Sequence, residues 1–174
     1  MTNLKTFNID ADSLNFDFSY NPKETKFLKE DIENKKDITL CDIRRISLWK
    51  LDRVLEVSED TISNLQQIAV KDDLTIKSEL VSVTLNMLVN SNGIGYPMAS
   101  SILKFIRPDI FPIIDVRAYR AVYGKKIYSS QYTVKKYFDY VEKIYDISKS
   151  LNIELCKVDE QLYCFNKEYN RLLA

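Results

Sequence analysis

The chain contains no histidine, and this absence excludes several kinds of chemistry at once. Hydrolases that depend on a Ser-His-Asp or Cys-His arrangement are excluded outright. Zinc and iron–sulfur sites are not expected either, because three cysteines without a histidine cannot complete the usual ligand sets. Any catalysis must therefore use carboxylates, lysines, tyrosines or backbone groups, and we expect no metal centre.

The three cysteines, Cys41, Cys156 and Cys164, are odd in number and widely spaced. This pattern is typical of reduced intracellular thiols and not of a disulfide framework. An apolar run of the length that a membrane span needs is absent. The first residues also lack the basic and apolar regions of a secretory signal. We expect no membrane partner and a cytoplasmic location.

Glycine and proline are scarce, with three and four residues in a chain of 174. β-rich folds usually need more turn residues than this, whereas 45% apolar content with 11% aromatics supplies a core. Long helical periods in the apolar positions therefore predict an all-α fold. We expect one helical domain over residues 1–174, arranged as two small lobes around a cleft.

The pattern predicts an extended N-terminal segment over residues 1–21, followed by eight helices. Ser58 is predicted to cap the third helix, and Asp72 or Asp73 the fourth. Ser129 or Ser130 should cap the seventh helix, and Asp159 the last one. The predicted helices cover residues 22–34, 38–54, 59–70, 74–90, 97–106, 115–123 (closed by Gly124), 131–151 and 159–173.

The net charge of zero hides a strong segregation along the chain. Residues 92–136 hold eight basic residues against two acidic ones, a net charge of +6, whereas the flanking regions are net acidic. Such a patch attracts polyanions even on a neutral protein. A solvated basic face without a partner is the alternative that charge alone leaves open.

Two of the three glycines, Gly93 and Gly95, stand one residue apart in NGIG, between two predicted helices. Glycine permits positive φ and close approach of a ligand to the backbone. The N–H groups of this loop and of the next first turn would point outward at the positive end of a helix dipole, which suits a phosphate. A tight helix–helix turn also needs glycine, so the loop alone does not decide between the two.

The wider pattern NGIGYPMASSILKF followed by FPIIDVRAYRAV, residues 92–122, is more specific. It resembles the helix-hairpin-helix plus Gly/Pro…Asp motif of the DNA glycosylase superfamily that includes endonuclease III and the adenine and 8-oxoguanine glycosylases. The resemblance implies double-stranded DNA as partner, and a hairpin whose backbone at Gly93, Ile94 and Gly95 holds a phosphate. Basic side chains nearby are candidates for further phosphate contacts: Lys104, Arg117 and Arg120. No cofactor is expected, unless a monovalent cation sits at the hairpin.

The resemblance also assigns a catalytic acid, Asp115. As an N-glycosidic bond stretches, the sugar becomes cationic, and a nearby carboxylate stabilises it or activates water. A helix N-terminus helps to keep such an acid ionised. The target base would be flipped into a pocket, for which Trp49, Phe111 and Tyr119 are candidate walls. Core packing is the alternative role for each of these three aromatics.

Bifunctional members of that superfamily carry a hairpin lysine where this chain has Pro97, so lysine lyase chemistry at this position is excluded. The predicted activity is therefore monofunctional hydrolysis that removes a modified base. Lys50, beside Trp49 in the predicted second helix, is a further catalytic candidate if that helix faces the cleft. The alternative is that Trp49 fills the core and that Lys50 is an ordinary surface charge.

Two other functions fit the same residues. A helix-hairpin-helix module could bind DNA without chemistry, with Asp115 serving only as a helix cap. A protein-interaction domain could use the aromatic stripe of the seventh predicted helix, which comprises Tyr132, Tyr137, Phe138, Tyr140 and Tyr145. The base that would be removed and the oligomeric state are not predicted by the sequence.

Overall fold

The structure is a computed structural model that describes residues 8, 11, 16–17, 19–33 and 35–170. The fold is all-α, as predicted, and these residues contain helices, turns and a single isolated β-bridge between Glu56 and Asn92 but no strand. The chain divides into two compact units, Met1–Val54 and Leu55–Ala174. Within the described part of the chain, no helix combines the length and the apolar character needed to cross a membrane. Most of the predicted N-terminal segment lies outside the described residues.

The first unit contains two helices, α1 (Pro22–Asp31) and α2 (Leu40–Lys50). Polar contacts join them, because Arg45 pairs with both Glu24 and Asp31. None of the residues described in these two helices is buried. Most of the apolar positions that predicted a longer second helix over residues 38–54 are exposed, and α2 ends at Lys50 instead.

The second unit contains six α-helices in its described residues: α3 (Glu59–Val70), α4 (Glu79–Val89), α5 (Tyr96–Ile106), α6 (Val116–Tyr123), α7 (Val134–Leu151) and α8 (Leu155–Tyr169). Its core is apolar and draws on all six helices and on the segment between α5 and α6. Helix α6 packs mainly against α8, and α3 packs against α4. This packing places the N-terminus of α6 beside the middle of α8.

Local capping signals predicted several helix ends correctly. Ser58 caps α3 by accepting a hydrogen bond from the Thr61 N–H, and Asp115 and Gly124 bound α6 as expected. Gly124 adopts φ 66°, a left-handed conformation that suits glycine at a helix C-terminus. These ends depend on short-range contacts, which the sequence shows directly.

Three predicted helix starts are wrong. Helix α4 begins at Glu79 instead of residue 74. Leu74 and Ile76 are buried, but they lie in an irregular segment that precedes the helix. Helix α7 is capped by Thr133, and the serines predicted as its caps begin a short 3₁₀ turn, Ser129–Gln131. Helix α8 begins at Leu155, so Asp159 is an interior residue of that helix and not its cap.

The connection between α5 and α6 runs through the core, and tyrosine hydroxyls from α7 satisfy its carbonyl groups. Tyr145 donates to the Ile110 carbonyl at 3.1 Å, and Tyr137 donates to the Pro112 carbonyl at 3.1 Å. Tyr140 donates to the carbonyl of residue 113 at 3.0 Å. Tyr137 and Tyr140 are fully buried, so these two residues of the aromatic stripe belong to the core. Because Tyr132, Phe138 and Tyr145 are half-buried, the role of the stripe as a protein-interaction face stays a prediction.

Candidate functional site

The chain turns tightly between α4 and α5 at Gly93 and Gly95, as predicted, but the two glycines contribute differently to the turn. Gly93 adopts φ 77°, a conformation that side chains disfavour. Gly95 is the N-cap of α5 at φ −99°, and a Cβ there would meet only Pro97 Cδ, at 3.9 Å. Between them the Ile94 side chain is buried and anchors the loop to the core. Only Gly93 is therefore required by backbone conformation.

The first turn of α5 has unused hydrogen-bond donors. The Gly95 N-cap has no side chain to cap the helix, and Pro97 in the first turn has no N–H. Among the residues that the structure describes, the backbone N–H groups of Gly95, Tyr96 and Met98 have no acceptor. An open helix N-terminus of this kind favours an anion.

Two of the predicted phosphate ligands are not available to DNA. Lys104 is buried, and its Nζ lies 2.9 Å from Asp159 Oδ1, 3.0 Å from Asp159 Oδ2 and 2.9 Å from Glu160 Oε1. Its ammonium group is thus committed to two carboxylates. Arg120 is also buried, with 9% of its surface exposed. The predictions that these two side chains bind phosphate are wrong.

The third predicted phosphate ligand, Arg117, is exposed. Its Nη1 donates to Tyr163 Oη at 2.8 Å, and its guanidinium carbon lies 5.0 Å from the centre of the same ring. Of the other basic residues of this region, Arg107 and Lys135 are already paired, with Asp109 and Asp139 respectively. The surface excess of positive charge is consequently smaller than the sequence count.

Asp115 is the N-cap of α6 and is half-buried. Its Oδ1 accepts a hydrogen bond of 2.6 Å from the Ala118 N–H, whereas Oδ2 has no partner in the described part of the chain. The carboxylate lines a cleft of about 210 Å³, together with Ile113, Ala118, Asp159, Glu160, Tyr163 and Cys164. This volume is below the roughly 300–1,000 Å³ of small-molecule pockets, so the cleft suits a single small ring.

A buried ion pair supports the residues that precede Asp115. Asp159 Oδ2 accepts a hydrogen bond of 3.0 Å from the Ile113 N–H in addition to its contact with Lys104. Burial raises the pKa of Asp159, against the opposing effect of Lys104. Burial lowers the pKa of Lys104, but its hydrogen bonds to Glu160 and Asp159 outweigh this, so the Lys104 pKa is raised. Asp159, which is paired with Lys104, therefore anchors the backbone two residues before Asp115.

Ser100 connects the hairpin helix to the same segment. Its Oγ accepts a hydrogen bond of 3.1 Å from the Ile114 N–H and donates one of 3.0 Å to the Pro97 carbonyl in the first turn of α5. Both Ser100 and Ile114 are fully buried. The open end of α5 and the Asp115 cap are thus linked through one hydroxyl group, a connection that the sequence did not suggest.

Two of the three aromatic residues that were predicted to line the base pocket, Phe111 and Tyr119, lie in the core. Phe111 is fully buried, and Tyr119 is buried against Tyr123, with ring centres 4.5 Å apart. Both are core residues, so their assignment to a base pocket is wrong. Tyr163 of α8 lines the Asp115 cleft, although the sequence did not assign it to the base pocket.

Trp49 and Lys50 belong to the first unit. The Trp49 indole N–H donates to Thr25 Oγ1 at 2.9 Å, and its ring meets Tyr20 edge-on, with ring centres 5.2 Å apart. Trp49 is half-buried and Lys50 is exposed at the end of α2. Their roles near Asp115 stay predictions.

Tyr132 was predicted only as part of the aromatic stripe, but its hydroxyl is unusual. The oxygen is buried and has no hydrogen-bond partner among the residues described. The ring stacks on Tyr96 of the hairpin helix, at 5.9 Å between ring centres and 12° between planes. Burial, followed by the negative charge of Asp115, raises the pKa of Tyr132 to about 12.

Within the described residues, no group of three or more Cys, Asp and Glu side chains is arranged to hold a metal ion. Cys41, Cys156 and Cys164 are free thiols. In comparisons with known proteins, no family model, no curated protein and no solved structure matches this chain.

Proposed function

We propose that the protein binds double-stranded DNA through the hairpin of α4 and α5. The observation that carries this proposal is the open N-terminus of α5, where three backbone N–H groups follow Gly93 without an acceptor in the described chain. A DNA phosphate would accept hydrogen bonds from these groups and interact favourably with the helix dipole. Phosphate contacts position a protein on a duplex without reading its sequence.

We further propose that Asp115 acts on the deoxyribose of a flipped, modified nucleotide, as in monofunctional base excision. Its Oδ1 accepts the Ala118 N–H that caps α6, whereas its Oδ2 has no partner in the described residues and could interact with the sugar. An ionised carboxylate beside the anomeric carbon stabilises the positive charge that develops as the base departs. Tyr163, beside Asp115 in the cleft, supplies an aromatic surface for the departing base.

The second candidate function is DNA binding without chemistry, with Asp115 serving only as a cap. It is favoured by the small size of the cleft and by the burial of Phe111 and Tyr119, which leaves a reduced base pocket. Both candidates share the hairpin contact, so binding is tested first and the role of Asp115 second.

Gly95→Ser tests the hairpin contact. A serine N-cap would accept the Met98 N–H, so the helix should gain a few tenths of a kcal/mol while the phosphate loses a donor. In fluorescence anisotropy at low salt, we expect the variant to bind an unmodified duplex more weakly than the parent, with a shallower salt dependence. The parent slope should be roughly 0.9 per phosphate contact in log–log form. Equal affinities for parent and variant would place the DNA contact elsewhere.

A further inference from the structure

The connection between α6 and α7 carries two accessible positive charges. The surrounding residues 116–138 contain six basic residues and no acidic one. Lys125 and Lys126 are exposed in this connection. Neither of their ammonium groups is paired with a carboxylate in the described part of the chain. These two charges are therefore available to an anionic partner, unlike the buried Arg120 and the paired Lys135.

Several contacts fix the conformation of this connection. The Ile127 side chain is buried in the core. The Gln131 N–H donates to the Tyr128 carbonyl at 2.8 Å, and the Tyr128 N–H donates back to Gln131 Oε1 at 3.0 Å. Lys126 Nζ lies 5.6 Å from the centre of the exposed Tyr128 ring. A lysine that is already held in this way loses less side-chain freedom when it binds a partner.

The same connection ends beside the open N-terminus of α5. Tyr132 stacks on Tyr96, the first residue of α5, with 5.9 Å between ring centres. The Tyr96 N–H is one of the donors without an acceptor in the described chain. Lys126 stands six positions before Tyr132, so their Cα atoms are at most about 22 Å apart. Because a duplex carries a phosphate about every 1.7 Å along its axis, one duplex can meet both the hairpin and these lysines.

We propose that Lys125 and Lys126 form a second contact with the DNA backbone, next to the hairpin. This inference rests on the proposed binding of DNA by the hairpin. The ligand is the phosphate backbone of a duplex, since lysine binds phosphate as a point charge, and a phosphate contact carries no sequence information. Each lysine releases a counterion from the phosphate that it neutralises, so the contact contributes most at low salt.

The test compares the double variant Lys125→Met/Lys126→Met with a control that removes the same charge elsewhere. Lys143→Met/Lys149→Met is that control, because both lysines are exposed and lie farther along α7. At a helix rise of about 1.5 Å per residue, Lys149 lies about 22 Å along the α7 axis from Val134, away from the end that contacts α5. The affinity of the full-length protein for an unmodified duplex is measured by fluorescence anisotropy over a series of salt concentrations.

We expect Lys125→Met/Lys126→Met to bind the duplex roughly tenfold or more weakly than the parent at about 0.1 M salt. Its log–log salt slope should be shallower by roughly 1.8, about 0.9 for each lost phosphate contact. The control should keep the parent slope, because charges farther from the DNA than about 10 Å are largely screened at this salt. Both variants should melt at the parent temperature, since the substituted side chains are exposed.

Equal salt slopes for the two double variants would overturn the inference and leave the hairpin contact unaffected. Gly95→Ser in the same assay separates the two contacts. If it binds as the parent does while the loss of Lys125 and Lys126 weakens binding, the lysine contact stands and the hairpin contact fails. A parent protein that binds no duplex at low salt would overturn both.

Discussion

The Ser100 hydroxyl and the Ile114 N–H form a buried hydrogen bond of 3.1 Å that joins the hairpin helix to the residue before Asp115. The same hydroxyl donates to the Pro97 carbonyl in the first turn of α5. On the other side of the segment, Asp159 accepts the Ile113 N–H. Asp115 is therefore held by two neighbouring backbone groups that are each anchored to a different helix.

Ser100→Ala should destabilise the protein by about 1–3 kcal/mol, because it leaves the buried Ile114 N–H without an acceptor. Ser101→Ala is the matched control, since Ser101 also donates to the Pro97 carbonyl, at 2.8 Å, but accepts no backbone N–H. Its cost should be about 0.5 kcal/mol or less. Urea unfolding of the two variants measures the difference. Equal losses would show that the link to Ile114 contributes nothing.

Lys104→Met should destabilise the protein by about 3–5 kcal/mol, because it leaves the buried Asp159 carboxylate without its cation. Lys135→Met provides the comparison, since the Lys135–Asp139 pair is exposed and should contribute about 0.5 kcal/mol or less. Chemical denaturation measures both. If Lys104→Met is no less stable than Lys135→Met, the ion pair does not support the Asp115 segment as described.

Gly93→Ala should cost roughly 1–2 kcal/mol, because the residue would be held at φ 77°. Gly95→Ala should change the stability by less than about 0.5 kcal/mol, since its φ of −99° is ordinary and the added carbon meets only Pro97 Cδ. Thermal unfolding of both variants separates the two glycines. A larger loss for Gly95→Ala would contradict this description of the hairpin.

The α2 cap in the first unit should respond to acid. Hydrogen bonds from the Thr39 hydroxyl and backbone N–H, followed by one from Lys35, lower the pKa of Asp42 from 3.8 to about 2. The folded state therefore binds this proton more weakly than the unfolded chain does. The stabilisation is present above pH 3.8 and is lost as the pH falls toward 2.

An NMR titration of the Asp42 carboxyl carbon measures this pKa directly. In Thr39→Val, which removes the side-chain donor, the midpoint should move back toward the ordinary value. A parent midpoint that is already near 4 would contradict the capping arrangement.

The features that could be predicted from the sequence are local ones. Ser58, Asp115 and Gly124 bound their helices through contacts within four residues, so residue type and spacing were sufficient. Gly93 likewise carries its conformational preference with it. The all-α fold followed from periodicity and from the scarcity of turn residues.

The missed features are long-range. Lys104 and Asp159 are 55 positions apart, and an amphipathic pattern does not distinguish a lysine in a buried pair from one on a basic surface. The burial of Arg120 and Tyr119 depends on how α6 packs against α8 and α7. The burial of Phe111 depends on the path of the connection between α5 and α6 through the core. The Tyr132 hydroxyl is buried without a hydrogen-bond partner among the described residues, and a sequence does not show which hydroxyl groups lack a partner.

The central claim is that Asp115 faces a sugar that becomes positively charged in DNA held by the hairpin. The most direct measurement compares the affinity for a duplex containing a cationic pyrrolidine in place of one deoxyribose with that for a neutral tetrahydrofuran analogue. Neither duplex requires the target base to be known. Asp115→Asn is the companion variant, because asparagine caps a helix as well as aspartate does but carries no charge.

We predict that the parent protein binds the cationic duplex roughly tenfold more tightly than the neutral one, an effect of about 1.4 kcal/mol. Asp115→Asn should bind both duplexes with the parent's affinity for the neutral one. Equal binding of the cationic and neutral duplexes by the parent protein would contradict the account and leave Asp115 as a helix cap only.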